Sequence, residues 1–511
     1  MAASQRARAY PASLPAPTGG WNARDALGDM PPEDAVTLTN FFPRTTDVTL
    51  RNGYSQFATG LPGQTETLMN YSGGSSNKLF AISSSSIYDI TSGGAVGAAS
   101  VTGLTNSRFQ YSNIATAGGN FMLAVNGADK LQGFNGTTWW VDGDGTHDIT
   151  GFNTATASNI CLFKNRIWFC ENGTLNAWYL GVNSISGAAT AFALQSVASK
   201  GGYIMAMGTW TLDAGYGVDD YAVFVTSEGE VIVYRMTDPT SASSISLIGV
   251  WNLGTPVGRR CLMKYAGDLL IICQDGLLPL AAALQSSRLN PKVALSNKIQ
   301  SAVSSAISSY SSNFGWQTAY FPKENMLFLN VPISIGSIQQ QYVMNTLSGA
   351  WCNFSGWEAN CWEIYQDNPY FGGNGFVGKA WDTLADNSTN ISGTAKQAFN
   401  YFKSYGVLKR WTMMRPILTT NGNPALLANL DVDFSDDTPT AALNFSPTGY
   451  AGWDSAVWDT GVWGGGLNVL KNWQGVNGIG YCCAPRLQVA SQAIEVNWVS
   501  TDLVMERGGI L

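Results

Sequence analysis

Asn165-Arg-Ile-Trp-Phe-Cys170, followed after Glu171 by Asn172-Gly173, is the stretch whose reading decides the fold. A polar start opens a short apolar run able to form a buried strand, and Asn-Gly is a preferred pair for a tight hairpin turn. The arrangement recurs in Asn77-Lys-Leu-Phe-Ala-Ile82, Gly119-Asn-Phe-Met-Leu-Ala-Val125, Tyr221-Ala-Val-Phe-Val-Thr226, Gly267-Asp-Leu-Leu-Ile-Ile272 and Asn325-Met-Leu-Phe-Leu-Asn330. With Phe80, Phe121, Trp168, Val223, Leu270, Leu327 and Phe371 as markers, the steps are 41, 47, 55, 47, 57 and 44 residues. A loose hairpin repeat of this length is what a four-stranded propeller blade requires, because one small twisted sheet cannot bury both faces unless neighbours stack around an axis. The expectation is an all-β chain with a β-propeller of about six to seven blades. Ordinary β-sandwiches with coincidental spacing are the competing reading, since no recurring Trp-Asp accompanies the period.

Composition agrees with many short strands and tight turns. The 511 residues are 45% apolar and only 12% charged, with 56 Gly, 18 Trp, 20 Tyr and 22 Phe. A net charge of −7 lacks the cationic footprint that holds nucleic acid by counterion release, so contact with DNA is expected to be transient at most. The eight cysteines form no CxxC pair and read as free buried thiols rather than a zinc or redox motif. No signal peptide is visible at the start, and the most apolar window, Leu269 to Leu284, is interrupted by Gln274-Asp275-Gly276 and Pro279, so no membrane span is expected.

Two segments break the pattern. Leu295, Ile299, Val303 and Ile307 recur every four residues and predict an amphipathic helix from Val293 to Tyr310, inserted between blades against the propeller rim or a neighbouring subunit. After about residue 390, strand-like runs around a Trp/Gly-rich tract predict a separate C-terminal β domain. The expected organisation is therefore a lead-in segment at 1–60, a propeller at 61–390 with a helical insertion near 293–312, and a β domain at 391–511.

Little in the sequence points to catalysis. The single histidine, His147, excludes HExxH sites, and no GxSxG elbow supports a triad. Asp142-Gly-Asp-Gly-Thr-His-Asp148 places Asp142, Asp144 and Asp148 at short spacings on a curling loop, a candidate calcium site by its hard oxygen ligands, although a plain hairpin turn gives the same text. Asp213, Asp219, Asp220, Glu228 and Asp382 are acids that a glycan-cleaving propeller could pair across a pocket, yet no SxDxGxxW box is present. Trp453, Trp458 and Trp463, with Trp473 beyond Gly464-Gly-Gly, are five apart and fit neither a strand nor a helix period. They read either as a subunit or fibre interface or as local core of the C-terminal domain.

The first fifty-odd residues carry the most specific text: Gly19-Gly-Trp-Asn22, Met30-Pro-Pro-Glu-Asp-Ala-Val36, Leu38-Thr-Asn-Phe-Phe-Pro-Arg44 and Arg51-Asn-Gly-Tyr54. With Leu295-Ser-Asn-Lys-Ile299, Met344-Asn-Thr346, Met413-Met-Arg-Pro416 and the ending Asp502-Leu-Val-Met-Glu-Arg-Gly-Gly509, this is similar to the packaged-DNA stabilisation and tail-nozzle proteins of short-tailed bacteriophages. The resemblance implies a non-enzymatic virion subunit, assembled in the host cytoplasm into a homohexameric ring of the tail. That ring sits below the head-to-tail adaptor, closes the DNA channel, and offers docking sites for a tail fibre or spike. The residue-level alternative is a glycan-binding or glycan-cleaving propeller on a virion or cell surface.

Overall fold

The computed structural model describes residues 9–74, 76–213, 218–283, 291–443 and 467–508. Within them the apolar runs form strands that pair antiparallel with their sequence neighbours. Four-stranded meanders start at Gln110–Thr116, Ala157–Phe163, Ile204–Asp213 and Gln317–Phe321, and a three-stranded one at Leu262–Tyr265. Ring closure comes from one long strand, Tyr54–Tyr71. Its first part pairs with Asn374–Ala380, the third strand of the meander begun at Cys361–Tyr365. Its second part, from Thr65, pairs with Lys78–Ser83 as the inner strand of the next meander. Counted on both sides of that strand, the meanders number seven, and every sequence marker from Phe80 to Phe371 falls on the second strand of its meander.

These second strands are buried on both faces because adjacent sheets stack. Trp168 and Tyr179 of one meander share a core with Phe224 and Tyr234 of the next, and Val223 and Val233 share theirs with Leu269 and Ile271. Each fully buried large side chain contributes about 1.5–3 kcal/mol. Glycine and aromatic residues are linked in this packing: Gly133 and Gly378 lie directly across the ladder from Trp140 and Phe371, whose rings occupy the space a Cβ would need.

The predicted helix is shorter than its periodicity implied. Leu295–Ile299 is a 3-10 turn, and the α-helix runs over Gln300–Tyr310 with Val303, Ala306 and Ile307 buried. It packs against Leu270, Ile272 and Leu277 of the three-stranded meander and Leu327 and Leu329 of its neighbour. The helix thus packs between this sheet, which has three strands among the described residues, and its neighbour.

A β-sandwich adjoins the ring, and within the segment 1–60 the described residues, from Ala9 onward, supply strands to it. Ala9–Pro15 pairs with Val496–Arg507, Val48–Leu50 pairs with the same strand, and Asp34–Thr39 pairs with Ile391–Gln397. The cause is burial: Phe41, Val48 and Leu50 share a core with Trp411, Met414, Leu418, Trp498 and Leu503. Arg51 ties this layer to the ring. Its guanidinium is fully buried, makes a bidentate pair with Asp386 at 2.8 and 2.6 Å, donates to the Ser355 carbonyl, and lies 4.7 Å from the Trp357 ring centroid.

Candidate functional site

All seven inner strands run in the same direction around the axis, so residues that precede or begin them gather at one end. The strands enclose an axial cavity of about 300 Å³, lined by every meander through residues such as Thr67, Tyr111, Ile160, Met207, Thr318 and Glu363. Arg260 spans it. Its Nη1 donates to the Glu66 carbonyl at 3.0 Å, and its Nη2 donates to Thr67 Oγ1 at 2.7 Å and the Phe109 carbonyl at 3.1 Å.

Glu363 faces this cavity beside Tyr111. By surface area it is only partly covered, because the cavity has room for water, but it lies within the ring of inner strands, away from the outer surface. Desolvation there pushes its carboxyl up to about 7, against a hydrogen bond from Tyr111 that favours the charge. Desolvation likewise lowers the Arg260 guanidinium and raises the Tyr111 phenol.

One end of the cavity widens into a mouth of about 730 Å³. Arg108 and Arg260 precede two inner strands by two residues each, and Phe314 precedes a third. The Phe314 ring lies 4.6 Å from the Arg108 guanidinium and 5.1 Å from that of Arg260. Arg108 Nε donates to Glu66 Oε1 at 3.1 Å, and Arg259 Nη2 donates to Asn172 Oδ1 at 3.1 Å. Three guanidiniums therefore converge with a single carboxylate, Glu66, in a chain whose net charge is −7. Sequence inspection missed this site because Arg108 and the Arg259-Arg260 pair are far apart in the chain. The usable signal was their common place just before an inner strand.

The sequence-derived sites fare differently. The Asp142 carboxylate is committed to the fold: it accepts from the Ile149 N–H at 2.8 Å and the Thr154 hydroxyl at 2.6 Å. Asp144 accepts from the N–H groups of Thr146 and His147, both at 2.7 Å, and sits 2.9 Å from His147 Nδ1, which holds its carboxyl down at about 2. Asp148 accepts from the Gly145 N–H at 2.9 Å. The oxygens of all three carboxylates thus cap turns, and no cluster of three candidate metal ligands occurs among the described residues. His147 stacks on Trp140 with centroids 4.2 Å apart.

Asp220 and Asp382 pair with Lys164 and Lys379 in separate meanders, and neither they nor Glu228 line the axial cavity. Trp473 is partly exposed with the Arg415 guanidinium 4.6 Å from its ring, while Trp453, Trp458 and Trp463 lie outside the described residues. All eight thiols are free, and burial pushes those of Cys261, Cys273 and Cys361 up to about 12.

Fold and site together define the class: an all-β chain with a β-propeller and an arginine-lined axial mouth. No family model and no curated protein matches it. Among solved structures it is similar to the β-propeller domain of Myceliophteria thermophila Cps50 (Swd1), at 13% identity over 64% of this chain and 98% of that one, TM-score 0.40. It is also similar to YCF48 bound to D1 peptide, at 11% identity over 64% and 95%, TM-score 0.37. A third is BBS1N in complex with ARL6DN, at 8% identity over 65% and 97%, TM-score 0.39.

Proposed function

We propose that this chain is a non-enzymatic structural subunit of a phage tail nozzle, six copies of which form a ring that retains packaged DNA and releases it at infection. The carrying observation is the first sheet of the sandwich. It exposes Met413, Val469, Trp473 and Ile479, and its strand Gln474–Gly480 pairs on one side only among the described residues. An open edge beside exposed apolar side chains is a surface that a second chain covers in an assembly. The propeller axis itself is no conduit for a duplex, because Arg260 spans a cavity of only about 300 Å³. The passage for DNA therefore lies between copies, and the net charge of −7 keeps its contact with the polyanion weak.

In this reading the ring docks on a head-to-tail adaptor and carries a fibre or spike. Negative-stain imaging of the purified chain, alone and with the adaptor, tests it. Six-fold rings with a central hole are expected, whereas single copies under both conditions would overturn the reading.

A further inference from the structure

The axial mouth lies apart from the exposed sandwich edge on which the proposed assembly rests, and its chemistry is that of a ligand site. We propose that it binds an acidic saccharide, a sugar that carries a carboxylate, through Arg108, Arg259 and Arg260.

The charge is the first argument. Desolvation lowers the guanidiniums of Arg259 and Arg260, so both are held at a cost that an incoming anion would relieve. Glu66 is the only carboxylate lining the mouth among the described residues, and it is engaged by Arg108 Nε. The terminal nitrogens of Arg108 make no hydrogen bond among the described residues, which leaves a planar fork of donors of the kind that grips a carboxylate with two parallel bonds. Phe314 holds the Arg108 and Arg260 guanidiniums in place from between them in the mouth.

The rest of the lining decides what the carboxylate is attached to. Around the arginines stand neutral amides and hydroxyls whose side chains make no hydrogen bond among the described residues, among them Gln64, Gln110 and Ser312. Groups that both donate and accept suit the hydroxyls of a sugar, whereas pockets for most other small molecules are lined mainly by apolar and aromatic side chains. A volume of about 730 Å³ accommodates one or two sugar rings. A bare oxyanion would use the arginines and leave the amides idle.

Isothermal titration calorimetry on the full chain tests this with sodium galacturonate and N-acetylneuraminate as probes, against galactose, inorganic phosphate and a tetraglutamate peptide. At least one acidic sugar is expected to bind about tenfold or more tightly than each of the other three. Arg108→Gln should weaken that sugar by about tenfold while leaving the melting temperature unchanged, since the Arg108 side chain is half exposed. Four results would overturn the proposal: no binding of either acidic sugar at millimolar concentration, equal binding of galactose, tighter binding of phosphate or the peptide, or an Arg108→Gln variant that binds as the parent does.

Discussion

Arg51 shows what a single side chain can carry here. Its side chain is fully buried, is paired with the part-buried Asp386 and donates to Asn40 and to carbonyls of two segments, so its loss leaves a part-buried carboxylate without its cation. Arg51→Met is expected to destabilise the fold by roughly 3–5 kcal/mol in urea unfolding. Asp142→Ala removes the acceptor of one buried N–H and one hydroxyl, for a loss of about 1–3 kcal/mol, and calcium should not shift the melting temperature of the parent protein.

Glu363 adds a pH dependence. Its folded value of about 7 stands above an ordinary 4.5, so the folded state holds the proton more tightly than the unfolded chain. The associated stability is complete below about 4.5 and is lost as the pH rises through about 7. Melting curves between pH 5 and 8 should show this decline in the parent protein and not in Glu363→Gln, a difference on the order of 2 kcal/mol once water in the cavity is allowed for.

Among the elements, the second strands were legible in advance and the first and last were not. A run such as Arg166–Glu171 is apolar because it is sandwiched on both faces, and that requirement repeats with the blade. Pairings such as Leu14 with Thr501 or Ala35 with Gln397 join segments hundreds of residues apart, and nothing local encodes them. The helix was seen through its four-residue spacing, but that spacing did not distinguish the 3-10 turn Leu295–Ile299 from the α-helix that follows. The 3-10 turn and the helix share one core with the two sheets beside them. Ile299→Ala, at the end of that turn and with no exposed surface, is expected to cost about 2–5 kcal/mol in the same urea assay. The arginines of the mouth escaped notice for the opposite reason to the helix: each sits in an unremarkable turn, and only the closed ring brings them together.

At the scale of the whole molecule, closure by Tyr54–Tyr71 and the interleaved termini bind ring and sandwich into one continuous structure. In the proposed assembly, copies of this body would meet through the exposed edge of the sandwich sheet. The most direct test is the mass of the assembled particle, measured by sedimentation velocity with the adaptor present, for the parent protein and for Ile479→Lys. Ile479 is 60% exposed on the open edge, so a lysine there leaves folding intact and disfavours docking of a neighbour. The account predicts a six-copy particle for the parent and single copies for Ile479→Lys at an unchanged melting temperature. Single copies of the parent, or full assembly of the variant, would contradict it.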